Sequence, residues 1–128
     1  MKKKVVINWI ESQLVGVRVD IRTIFKEPVF ILQEIKKVAG FRDGKATDEI
    51  LGYIYDCVDR KRYQHCKFKI EGQTIPLMTN EELQRRIDSD ETVLVEIING
   101  SVMAYVSQNN TIEDSFKADD IKLVETNF

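Results

Sequence analysis

Apolar and charged residues alternate without a break along Val17-Arg18-Val19-Asp20-Ile21-Arg22. A period of two sends the two sets to opposite sides of an extended chain, so this stretch predicts a strand with one dry face and one wet face. Pro28 then resets the backbone. Val29 to Val38 fits two periods, because Ile31, Ile35 and Val38 would also line one face of a helix. Strand is favoured here: Val29-Phe30-Ile31-Leu32 is β-branched and aromatic-rich, and Arg42-Asp43-Gly44-Lys45 supplies a turn where a hairpin needs one. The first half of residues 49 to 71 repeats the ambiguity, since Ile50, Leu51, Ile54, Cys57 and Val58 could share a helical face. The second half settles it. Cys66, Phe68 and Ile70 alternate with His65, Lys67, Lys69 and Glu71, a period that no amphipathic helix produces. A hairpin with Arg60-Lys61-Arg62-Tyr63 at its tip then sets Cys57 opposite Cys66, Tyr55 opposite Phe68 and Tyr53 opposite Ile70, with Asp56 opposite Lys67 on the outer face.

Thr79-Asn80-Glu81-Glu82 opens a short helix, with a polar cap, acids near the positive end of the helix dipole, and an end by Asp90. Thr92 to Ile98 is rich in β-formers and is followed by Asn99-Gly100, which predicts a tight hairpin with Ser101 to Ser107 as the return strand. A polar loop from Gln108 to Asp114 precedes a last strand at Ile121-Lys122-Leu123-Val124. The predicted fold is therefore mainly β with one short helix. A helix set between the third and fourth strands suggests a small OB-like Greek-key barrel, with an α+β sandwich as the alternative. Helix at residues 28–41 or 46–60 would overturn the barrel.

The length of 128 residues, with 43% hydrophobic and 31% charged, suits a single domain. Residues 1–25 would carry N-terminal strands and 28–124 the OB-like barrel. Met1-Lys2-Lys3-Lys4 resembles the start of an export signal, but the apolar run from Val5 to Ile10 is interrupted by Asn8 and closed by Glu11. That run falls short of the roughly 7–15 apolar residues such a signal uses, and nothing approaches the roughly 20 that span a bilayer. A cytoplasmic protein with no membrane partner is expected. Cys57 and Cys66 read as two reduced core thiols, because two cysteines are too few for a secreted disulfide scaffold and their spacing matches no zinc knuckle.

Little in the chain suggests catalysis. His65 has no second histidine and no glycine-rich oxyanion turn nearby, which argues against general-base catalysis, and the register turns it away from the two cysteines, which argues against a metal site. Glu81-Glu82 and Asp119-Asp120 read as a helix first turn and a solvated loop. Phosphate-binding loops and nucleophile elbows are missing, so the expectation is a non-enzymatic protein without cofactor or metal.

The 19 Lys and Arg against 21 Asp and Glu leave a formal charge of −2, but the positive charges cluster. Arg60, Lys61 and Arg62 crowd one hairpin tip beside Tyr63, Lys67 and Lys69 continue along the outer face, and Arg85 and Arg86 add to the set from the helix. Cations beside an exposed aromatic suit single-stranded nucleic acid, whose phosphates they neutralise while a base stacks on the ring. The plainer reading is a solvated tip with ordinary surface lysines, which fits a chain of acidic balance. The acids near the far end, Glu113-Asp114 and Asp119-Asp120, make the molecule polarised, and that also suits a protein partner.

A family resemblance joins these observations. Residues 42–59, from Arg42-Asp43-Gly44-Lys45 to Asp56-Cys57-Val58-Asp59, are followed by Lys69-Ile70-Glu71-Gly72, Thr79-Asn80-Glu81-Glu82-Leu83, Val95-Glu96 and Ser115 to Val124. Together they resemble small helicase-processivity-type proteins, and relatives of unknown function, encoded on integrative and conjugative elements of Gram-positive bacteria. The resemblance implies an OB-like accessory factor that works on element DNA, with single-stranded DNA and a helicase as partners and no catalytic residues. The alternative is a protein-interaction module, an inhibitor or immunity-type protein acting on a host protein without nucleic acid.

Overall fold

The computed structural model describes residues 16–125; the run from Val5 to Ile10 lies outside them. The chain enters through β1 (Arg18–Asp20) and then coils into one 3-10 turn at Ile21–Thr23. The strand is shorter than the alternation predicts because the Asp20 carboxylate accepts the Arg22 backbone N–H at 2.9 Å and also binds its guanidinium. That local bond offers the backbone an alternative to the ladder. Ile21 is nevertheless buried.

Both ambiguous stretches are extended. β2 (Val29–Arg42) and β3 (Lys45–Asp59) form a long antiparallel ribbon, reversed by Asp43 and Gly44 at φ 53° and 77°. β4 (His65–Glu71) returns along β3 in the register read from the sequence, with Cys57 facing Cys66, Tyr55 facing Phe68 and Asp56 facing Lys67. The inward side chains make the core. Phe25, Phe30, Phe68 and Phe116 run through it as edge-to-face pairs, their ring centres 5.1–5.2 Å apart.

The helix α1 (Asn80–Asp88) begins where the cap predicts, the Thr79 hydroxyl accepting the Glu82 N–H at 3.1 Å. Asn80 fastens it to β2: its side-chain oxygen accepts the Ile35 N–H at 2.9 Å and its amide donates to the Ile35 carbonyl. Asn80→Ala leaves both of those backbone groups without a partner in a half-buried setting, where each unsatisfied group costs about 1–3 kcal/mol. Urea unfolding should accordingly show a loss of at least about 1 kcal/mol; an unchanged midpoint would mean that water replaces the amide.

The Asn99-Gly100 expectation is corrected. β5 (Leu94–Ile98) and β6 (Ser101–Val106) do not pair with each other: β5 lies between β2 and β8 (Asp120–Leu123), and β6 between β1 and β7 (Ile112–Lys117). Val95 faces Leu123, Ile98 faces Asp120, Ser101 faces Lys117 and Val106 faces Ile112, so one register runs without a slip across the break. The two pairs form one long bent hairpin. Its reversal lies at residues 107–111, where the Ser107 N–H donates to the Thr111 carbonyl at 2.9 Å and Asn110 adopts φ 58°. Asn99, at φ 51°, bends the strand instead of reversing it. Gly100 is required there because a Cβ would stand 2.6 Å from the Ile21 side chain.

Among the described residues the protein is mainly β with one α-helix, and its strands pair in the order β1-β6-β7-β4-β3-β2-β5-β8, the two end strands not pairing with each other. One junction is parallel: β4 meets β7 with Phe68 beside Phe116 and Lys69 beside Lys117.

Candidate functional site

The alternation of β4 that buries Cys66, Phe68 and Ile70 also turns His65, Lys67, Lys69 and Glu71 outward. The parallel junction sets Lys117 next to Lys69, and β6 brings Ser101 next to Lys117. β1, on the far side of β6, contributes Arg18, whose guanidinium lies back across the strands to donate to the Ser101 hydroxyl at 3.0 Å and the Ser115 carbonyl at 3.4 Å. Lys117 pairs with Glu71 at 2.9 Å. The Glu71 carboxyl is held below the usual carboxylate range, first by its hydrogen bond from Lys117, then by the charges of Lys117, Lys69 and, more weakly, Arg18. Residues distant in the chain thus share one electrostatic environment. Arg18, Lys69, Glu71, Ser101 and Lys117 line a cleft of about 340 Å³ together with Asn99 and Asp119, the Asn99 amide donating to the Asp119 carboxylate at 3.1 Å.

The hairpin tip forms a different surface. Arg60, Lys61 and Arg62 line a smaller cleft of about 180 Å³ against Ile24, Phe25 and Val29. Arg60 is engaged by Glu27, and the Arg62 N–H donates to the Asp59 carboxylate at 2.9 Å. Tyr63 sits at φ 57° with 70% of its surface exposed, available for stacking. Lys67 faces Asp56, although the Asp56 carboxylate is bonded to His65 Nδ1 at 3.0 Å. Arg85 and Arg86 stand apart on α1, held by Glu82 at 3.7 and 3.9 Å, with Arg86 also held by Glu91 at 3.5 Å.

The structure therefore divides the sequence-predicted basic set into three: the tip with Tyr63, the outer row of β4, and the ion-paired helix arginines. Arg18 and Lys117 were missed by sequence reasoning. Their outward orientation follows from the alternation around them, but their meeting with Lys69 depends on two long-range strand pairings. Cys57 and Cys66 are free and fully buried. Burial pushes the Cys66 thiol up to about 12 and raises Cys57 further, so both stay protonated near neutrality.

Among the described residues no three His, Cys, Asp or Glu side chains gather closely enough to hold a metal ion, and no helix is long and apolar enough to cross a membrane. No protein-family profile, curated protein or solved structure matches the chain.

Proposed function

We propose that the protein is a non-enzymatic, OB-like module that binds single-stranded nucleic acid across the outer face of β4 and β7. The observation that carries this reading is the convergence of Arg18, Lys67, Lys69 and Lys117 on one sheet face despite the net negative charge of the chain. Such a face attracts a phosphate backbone locally while the rest of the surface repels it. The barrel part of the reading is supported by connectivity. Three antiparallel strands, a helix and a long hairpin follow one another, the hairpin's first strand pairs with β2, and its second runs parallel to β4. With β1 left aside, counting β5 with β6 and β7 with β8 as single bent strands leaves five, the number in a partly open Greek-key barrel of the OB type. The resemblance supplies the setting: a cytoplasmic accessory of a mobile element acting beside a helicase.

The test is fluorescence anisotropy of a labelled single-stranded oligonucleotide at two salt concentrations, with the matching duplex as control. Binding should prefer the single strand and weaken steeply with salt. Alanine at Lys69 and Lys117 should flatten the log–log salt slope by about 0.7 for each phosphate no longer neutralised, whereas alanine at Arg85 and Arg86 should leave it unchanged. No binding at low salt would overturn the reading in favour of a protein partner. That second reading is favoured by Phe41, 75% exposed near the end of the β2–β3 ribbon, where the two strands pair only with each other.

A further inference from the structure

We propose that the cleft between β1, β4 and β7 is a phosphate seat, and that the Glu71 carboxylate fills it in the free protein as an internal substitute for the anion. This rests on the nucleic-acid reading above and deepens it, because it assigns the contact point and a built-in competitor.

Lys69 and Lys117 are direct neighbours on adjacent strands, and like charges in that relation are destabilising. The fold adds a third cation to the same place. Arg18 is held there by Ser101 and Ser115, so its guanidinium is already positioned and little rotamer freedom remains to be lost on binding. Among the described residues neither Arg18 nor Lys69 has an ion-pair partner, and the one carboxylate bonded to any of the three is Glu71, on Lys117. Asp119 also lines the cleft, bonded to the uncharged Asn99 amide and to none of the three cations. Three cations thus meet two carboxylates in the cleft, Glu71 and Asp119, and an incoming phosphodiester supplies the one missing negative charge with oxygens of the same hydrogen-bonding character. The exchange is undemanding: the Lys117 and Glu71 side chains are 46% and 59% exposed, and an exposed ion pair contributes little net stability. On binding, Lys117 passes from a Glu71 oxygen to a phosphate oxygen and the carboxylate turns to solvent.

Glu71→Gln in the full chain tests this, with Glu49→Gln as a control that removes the same charge from the exposed β2–β3 ribbon. Two probes are used: a labelled single-stranded oligonucleotide read by anisotropy, and inorganic pyrophosphate read by side-chain NMR of Arg18, Lys69 and Lys117. Glu71→Gln should bind the oligonucleotide about two- to fivefold more tightly, the fold-change corresponding to one exposed ion pair. Its salt slope should steepen by about 0.7, and pyrophosphate should shift the three side chains at lower concentration than in the parent. Glu49→Gln should match the parent. Equal gains in the two variants, or three resonances unmoved by pyrophosphate, would overturn the seat even if the oligonucleotide binds elsewhere. If pyrophosphate moves them while neither parent nor Glu71→Gln binds the oligonucleotide, the seat stands for small phosphate compounds and the nucleic-acid reading falls.

Discussion

Phe68→Ala should lower the free energy of unfolding by about 3–5 kcal/mol, the range for a large aromatic removed from a packed core. Phe68 is fully buried, and its ring touches Phe30 on one side and Phe116 on the other at 5.1 and 5.2 Å. It therefore sits where β4 meets the parallel strand β7 and where both meet β2 across the core. Truncation removes the transfer energy of the ring and leaves a cavity whose walls belong to three strands tied into different ladders, so collapse is restricted. Urea denaturation with fluorescence detection gives the value. A loss below about 1 kcal/mol would mean that the aromatic row closes over the gap.

Gly52→Ala should be comparably damaging for the opposite reason. Gly52 faces Glu71 in the β3–β4 ladder, and an added Cβ would stand 2.3 Å from the Ile70 carbonyl oxygen. The obstacle is backbone in a hydrogen-bonded strand, not the end of a flexible side chain, so the strands must separate. A loss at the upper end of the roughly 1–3 kcal/mol typical of overpacking is expected. The damage should also spread to the outer face, since Glu71 and Lys69 lie on the strand that moves. Circular dichroism during thermal unfolding reads the stability, and an unchanged transition would show that the Ile70 carbonyl yields at little cost.

What was legible in the sequence was local. The Cys57–Cys66 register, the Asp43-Gly44 turn and the Thr79 cap are each decided by neighbours a few residues apart, through side-chain alternation, tolerance of positive φ and a hydroxyl aimed at a free N–H. Asn99-Gly100 shows the limit of such reasoning. Those residues permit positive φ, and a bend uses that freedom as readily as a reversal; the choice was made by Ile21, packed against Gly100 from nearly eighty positions away. The basic face divides in the same way. Lys67 and Lys69 are readable from the alternation of β4, but Arg18 and Lys117 join them only through pairings that no local pattern encodes. Arg85 and Arg86 looked like part of the set because sequence shows charge and not its partners; Glu82 and Glu91 take them up.

The parallel β4–β7 junction has a kinetic consequence. β2, β3 and β4 follow one another through short turns and can assemble early at a small loop-closure cost. The β4–β7 contact must instead wait until the helix and the bent hairpin are in place, and β1 reaches Ser101 across a separation of 83 residues. The three cations of the cleft are therefore expected to come together late in folding. A nascent or partly unfolded chain holds its lysines and its arginine apart, so the capacity to grip a phosphate arrives with the complete fold, and native-state hydrogen exchange should find these strand junctions among the first to open.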